Sequence, residues 1–281
     1  MTASTQRVRH LLTRKRHVVR DSLTVVRHVV RSLARQRFLL RVVVAVVVTT
    51  VASLAVWRSF GTPVVGGRRL LVHALVVGIR FAVMLSLQFV VAAWLYRTWC
   101  GQAPEKVRHL WADLVRRLPA ILLSAVVLAW LDHAAAVSAT SLLRSAVTFG
   151  FTYLLSYAVP AAAVYGSGLL KGFHHAYKVW RATFGADLLA FAGVWIVNGL
   201  MALVSAIPDA LDLYTPQSDG ERLSRVGRWV NWLVVMPAAI GAIATAAAFT
   251  TVILHALEQN RAPEGFPKSP VETVSGLQLD D

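Results

Sequence analysis

Residues 119–138 read PAILLSAVVLAWLDHAAAVS, a stretch apolar for its whole length except for Asp132 and His133. A hydrocarbon core about 30 Å thick is crossed by roughly 20 apolar residues in a helix, so this stretch has the length and character of a membrane span. Five further runs share that character: 38–57 (FLLRVVVAVVVTTVASLAVW), 77–98, 144–165, 184–206 and 229–256. The second run has an open start, either near Val77 or, as one long tilted helix, near Leu70, because LLVHALVVGI precedes Arg80. The expectation is an all-α polytopic bundle of six transmembrane helices. Its parts are a basic amphipathic segment at 1–37, a membrane domain at 38–256 and a flexible cytoplasmic tail at 257–281 punctuated by APEGFPKSP.

Composition agrees with that class. The chain has 281 residues, 56% hydrophobic and 15% charged, against about a quarter charged in soluble domains. Its net charge of +15 does not form the basic surface of a nucleic-acid binder, because the basic residues crowd the N-terminus and the ends of apolar runs. Anionic lipid is the partner this pattern fits, and nucleic acid is not expected. Cys100 is the single cysteine, which excludes an intrachain disulfide and a cysteine-based zinc cluster. A cleaved signal peptide is not expected, since a basic leader of 37 residues precedes the first apolar run.

Positive residues resist translocation, so their distribution orients the spans. Lys and Arg number 10 in residues 1–37, 5 in 97–118, 3 in 166–183 and 2 in the tail, 20 on one side of a six-span chain. The opposite side carries 8, and Arg41 stands within the first run. Both termini are therefore expected in the cytoplasm of a multi-pass cell-membrane protein, with Asp209, Asp212, Asp219 and Glu221 outside.

On a helical wheel the N-terminal segment divides in two. Val8, Leu11, Leu12, Val18, Val19, Leu23, Val25, Val26, Val29, Val30 and Leu33 fall within an arc of roughly 160°. Arg9, Arg16, Arg20, Arg27, Arg31 and Arg35 take the other face. Such a helix is expected to lie at the headgroup boundary with its arginines on anionic lipid; its other reading is a leader that only holds the N-terminus inside. Two connections expected on the same side are also amphipathic. In 104–119, closed by a proline at each end, Val107, Leu110, Trp111, Leu114 and Leu118 share a face. In 169–185, Leu170, Phe173, Tyr177, Trp180 and Phe184 do so. Both are expected to be interfacial helical elbows.

The order RRLPAILLSAVVLAWL, then YLLSYAVPAAAVYGSGLLKGFHHAYKVWRATFGADLL, resembles an uncharacterised family of prokaryotic six-helix membrane proteins and is similar to the membrane domain preceding some glycerophosphodiester phosphodiesterases. The resemblance covers roughly residues 70–255 and implies the fold without an activity. Tyr165 stands where many such relatives carry an acidic residue after the "VP".

Polar residues inside spans are costly and are functional candidates by default. Asp132 is expected roughly 20 Å from the cytoplasmic end of its helix and Arg80 at a depth of about 25 Å on another, with Arg144 opening the next. The favoured expectation is an Asp–Arg clamp between helices; the rival is a small-solute or ion pathway through Asp132. Gln88, Asn198 and Asn231 are candidates for interhelical hydrogen bonds. Ala238, Gly241, Ala242, Thr245 and Ala246 form a small-residue seam on the last span, expected at the bundle centre or a dimer contact. His174 and His175 are sequence neighbours without metal-ligand spacing, and no HExxH, GxSxG or phosphate-loop motif occurs. The functional expectation is a non-catalytic integral membrane protein, without cofactor or metal, that associates with anionic lipid. A homo-oligomeric contact or a membrane partner that it organises is the accompanying expectation.

Overall fold

The structure is a computed structural model, and it describes residues 20–59, 67–101, 107–137, 141–183 and 236–280. Among these, all regular structure is helical. In chain order the helices are α1 (residues 20–35), α2 (Arg37–Ser59), α3 (Gly67–Trp99), α4 (Val107–Val137), α5 (Ser141–Val164), α6 (Leu169–Thr183), α7 (Met236–Gln259) and α8 (Lys268–Ser275). Three contain stretches long and apolar enough to cross a membrane: Gly78–Trp99, His109–Leu131 and Ile240–Gln259. The fifth expected run, at 184–206, lies outside the described residues.

α3 and α7 form the interior. α3 packs against α2, α4, α5 and α7, and α7 also against α2, α5 and α8. The buried face of α7 is Ile240, Ala244, Ala247, Ala248, Thr251 and Val252. Alanine at these positions lets neighbouring backbones come close, which matters in lipid, where helices gain no hydrophobic drive towards one another. The expected seam is thus displaced around the helix. Gly241, Ala242, Thr245 and Ala246 are only half-buried, and a side chain at Gly241 would meet open space.

α4 lies at the edge. It buries Leu110, Leu114, Ile121, Ala125 and Leu128 at helical spacing and exposes Leu122, Leu123, Val126 and Trp130. An apolar face this continuous belongs against lipid or another protein rather than water. The helix also runs through Pro119, which the sequence expectation placed at the end of the elbow. Proline removes one backbone donor and leaves the Val115 carbonyl without its usual partner, a loss that membrane helices absorb without ending. Similarly, the second run belongs to one 33-residue helix from Gly67, roughly 50 Å long, within which the apolar stretch of spanning length is Gly78–Trp99.

Packing fixes which face of α6 docks on the bundle, and it corrects one expectation. The face that docks α6 is Gly172, Ala176 and Val179, while Leu170 and Tyr177 are exposed. A Cβ at Gly172 would collide with the carbonyl oxygen of Ala158 on α5, so only glycine permits this approach. The tail at 257–281, expected to be flexible, is folded from Asn260 to Asp280. Asn260 leaves α7 at φ 51 and its amide donates to the Asp280 carboxylate at 2.8 Å, while the Asp280 N–H donates to the Asn260 carbonyl at 2.8 Å. α8 buries Val271 and Val274 and ends at Gly276 in the left-handed region, whose N–H donates to the Glu272 carbonyl. Its two apolar side chains, with Leu279, suffice to seat a segment whose composition reads as polar.

The Gly172 contact predicts a contrast. Gly172→Ala should destabilise the protein by about 1–3 kcal/mol, because the clash is with backbone. Gly241→Ala, in open space on a helix, should be neutral or stabilise by up to ~1 kcal/mol. Thermal unfolding of both variants in the same detergent checks the pair.

Candidate lipid-headgroup site

Polar and aromatic residues of five separate segments meet at one end of the bundle. Arg97, at the end of α3, donates to the Asp113 carboxylate near the start of α4 at 2.7 Å. One turn later Arg117 donates through Nε to the Ser167 carbonyl in the α5–α6 turn at 3.0 Å, and its guanidinium lies 5.4 Å from the Phe89 ring. The Gln259 amide of α7 donates to the Tyr96 hydroxyl of α3 at 3.4 Å. Trp99 packs edge-on against Phe266 of the tail at 5.4 Å and against His255 at 6.0 Å. The ends of α3 and α7, the start of α4, the α5–α6 turn and the tail are therefore one connected layer.

α1 sits on this layer, and its faces divide three ways. Val25 and Val29 are fully buried in the core and Ser22 beside them is 4% exposed. Burying each valine contributes about 1.5–3 kcal/mol to docking. Next around the helix, Leu23 and Val30 remain 64% and 48% exposed. Beyond them Arg20, Arg27, Arg31 and Arg35 are all exposed. The apolar arc read from the sequence is thus shared between the protein and the exterior, because the tail and α3 offer a seat that the wheel alone cannot reveal. Arg9 and Arg16 lie outside the described residues.

Beside α1 is a cleft of about 450 Å³ whose lining includes His28, Arg31, Arg35, Trp99, Glu264 and Phe266. Arg31 and Arg35 are one turn apart, so both guanidinium groups can address one anion. His28 packs on Phe266 at 5.9 Å. Burial, then the charges of Arg31 and Arg27, hold its imidazole below the usual 6.5, so it is neutral at neutral pH. Neither Phe266 nor Glu264 stood out in the sequence. A single phenylalanine in a proline-rich tail was the only signal.

α5 runs through Pro160 and meets this layer at Tyr165, which stacks on His175 of α6 at 3.9 Å. The Tyr165 hydroxyl lies within hydrogen-bonding reach of Glu258 of α7. An acid thus stands beside Tyr165, supplied by a different helix. No group of three or more His, Cys, Asp or Glu able to hold a metal occurs among the described residues.

The intramembrane candidates are less completely placed. Gln88 is 6% exposed on α3, and its Oε1 has no hydrogen-bond partner among the described residues. Arg80 is half-buried on the same helix. α3 and α4 are antiparallel, with Arg97 at Asp113 and Gly78 opposite Ala129, where a Cβ on Gly78 would lie 3.9 Å from the alanine methyl. In that register Asp132 is offset from Arg80 by roughly five residues, about 7–8 Å along the axis. The side chains of Asp132 and Arg144, and Asn198 and Asn231 altogether, lie outside the described residues, as therefore do the expected clamp and the rival pathway.

Comparison of the chain with protein-family models, with curated proteins and with solved structures gives no match.

The His28 environment predicts a pH dependence. In the unfolded chain the imidazole titrates near 6.5, whereas docked His28 resists protonation to lower pH. Between those values the undocked state holds more protons, so α1 docking is fully present above about 6.5 and weakens as pH falls. The protection of α1 amides, taken relative to intrinsic exchange at each pH, should fall on acidification, and His28→Gln should remove that fall.

Proposed function

We propose that this protein is a non-catalytic, six-span integral membrane protein with both termini cytoplasmic, which associates with anionic lipid through α1 and the cleft beside it. The observation that carries the reading is the division of α1. Val25 and Val29 fix the helix to the bundle, while Leu23 and Val30 stay exposed directly beside Arg20, Arg27 and Arg31. Exposed apolar side chains next to a row of arginines match the chemistry of a headgroup boundary, where acyl chain and phosphate lie a few ångströms apart.

Orientation draws support from the same place. The four segments that carry 20 Lys and Arg in the sequence include the partners brought together around Arg97, Arg117 and Trp99. A positive layer at one end of a bundle belongs on the cytoplasmic face, where anionic lipids concentrate. The remaining spans, at 184–206 and in the parts of 38–57 and 144–165 beyond the described side chains, follow from the length of their apolar runs and from the six-helix family resemblance. A supporting role towards a membrane partner accompanies the proposal.

The test uses the full chain in nanodiscs. Hydrogen exchange in α1 should be slower in phosphatidylglycerol than in phosphatidylcholine. The variant Arg27→Gln, Arg31→Gln, Arg35→Gln should lose most of that difference, since each arginine near an anionic surface contributes about 1 kcal/mol. Equal protection in both lipids would overturn the lipid role. Reporter fusions should place the two ends of the chain on the cytoplasmic side; opposite signals would overturn the six-span topology.

A further inference from the structure

Between α2, α3 and α4 runs a groove of about 750 Å³. Its floor on α3 is hollow because Gly78, Ala82 and Ser86, each one turn apart, present almost no side chain. One wall is the α2 stripe Arg41, Ala45 and Thr49, again one turn apart; the other is α4 from Trp111 to Val126. The sixteen residues from Trp111 to Val126 extend roughly 22 Å. That equals about half of a bilayer of 40–45 Å measured across its headgroups.

The ends of the groove differ. Its mouth holds the exposed cation Arg41, one turn into α2, and Trp111, 46% exposed near the start of α4. This is the same end as the polar layer, since Phe38 of α2 stacks on Trp94 of α3 at 4.1 Å and Gln36 accepts from the Trp94 indole at 3.4 Å. Away from the mouth the lining is apolar apart from the hydroxyls of Thr49 and Ser86, and the Thr49 hydroxyl donates to the Ala45 carbonyl at 2.7 Å. No carboxylate is among the residues that line it.

We propose that this groove holds one acyl chain of an anionic phospholipid, with the lipid phosphate on Arg41. The inference rests on the anionic-lipid reading above and deepens it: α1 meets the membrane surface at large, whereas the groove seats a single lipid. Charge complementarity selects the occupant. An arginine at an aromatic-flanked mouth, above a dry trough one leaflet deep, meets a phosphate at the height where a lipid carries one. A protein helix in the same trough would have to bring an acid to Arg41.

The experiment is native mass spectrometry of the full chain released from nanodiscs containing equal phosphatidylglycerol and phosphatidylcholine. One phosphatidylglycerol per chain should remain bound. Arg41→Gln should lower the preference for phosphatidylglycerol roughly fivefold, the factor that corresponds to about 1 kcal/mol for one cation. Ala45→Trp and Val126→Trp fill the trough from opposite walls at exposed positions, and each should abolish retention of either lipid while circular dichroism stays unchanged. Arg31→Gln with Arg35→Gln should leave the retained lipid in place, so failure of the α1 reading and failure of the groove are told apart. Retention unchanged in Arg41→Gln and in both tryptophan variants overturns the proposal. So does a photo-crosslink from position 45 to residues 184–235 or to a second copy of the chain.

Discussion

The bundle depends on how closely α7 can approach its neighbours. Inside a bilayer, lipid tails are as apolar as leucine, so helices associate through shape and through the polar groups they satisfy together. The alanines at 244, 247 and 248 and the missing side chain at Gly172 are where this chain meets that constraint. They set the distance between backbones, and the larger side chains of α3, Leu87, Val91 and Leu95, fill what remains. Neighbouring helices can then differ in role. α7 is enclosed while α4 presents Leu123, Val126 and Trp130 outward.

Polar chemistry is concentrated where that close packing ends. Arg97, Asp113 and Arg117 tie three connections together, and the Asp113 carboxylate serves two arginines, at 2.7 Å and 3.8 Å. All three are partly exposed, so the ion pairs define geometry more than they add stability. Their use is to hold the aromatic residues Trp94, Trp99 and Phe266 at one level, giving α1 a fixed floor. The exposed surface of α1 is then set by which of its side chains that floor leaves uncovered.

The sequence made the helices legible because a 3.6-residue period and runs of spanning length leave few alternatives. It also identified the basic face of α1, since charge alternates with apolar positions without reference to tertiary contacts. It could not tell which side of an amphipathic helix meets protein and which meets lipid. In α6 the aromatic residues mark the amphipathic face, whereas Gly172 and Ala176 make the protein contact, where the distance between backbones decides. The tail misled for a related reason: prolines and charges dominate its composition, whereas Val271, Val274 and Leu279 determine its fold. Pro119 read as a boundary by its usual behaviour in water, and the helix continues through it. The groove escaped notice because its floor is defined by what Gly78, Ala82 and Ser86 lack, and Arg41 gains meaning only beside that hollow.

The seat of α1 has a consequence for how the chain is made. Val25 and Val29 belong to the same core as Ile253, Val271 and Val274, and His28 rests on Phe266. Those partners are made more than two hundred residues after α1. Over that interval α1 lacks this part of its protein floor, with its arginines already in place. On the proposed lipid role, the membrane surface accommodates the valines and the arginines alike in the meantime. On that reading the helix that docks on the finished bundle waits on the bilayer until the segment at 253–279 is made.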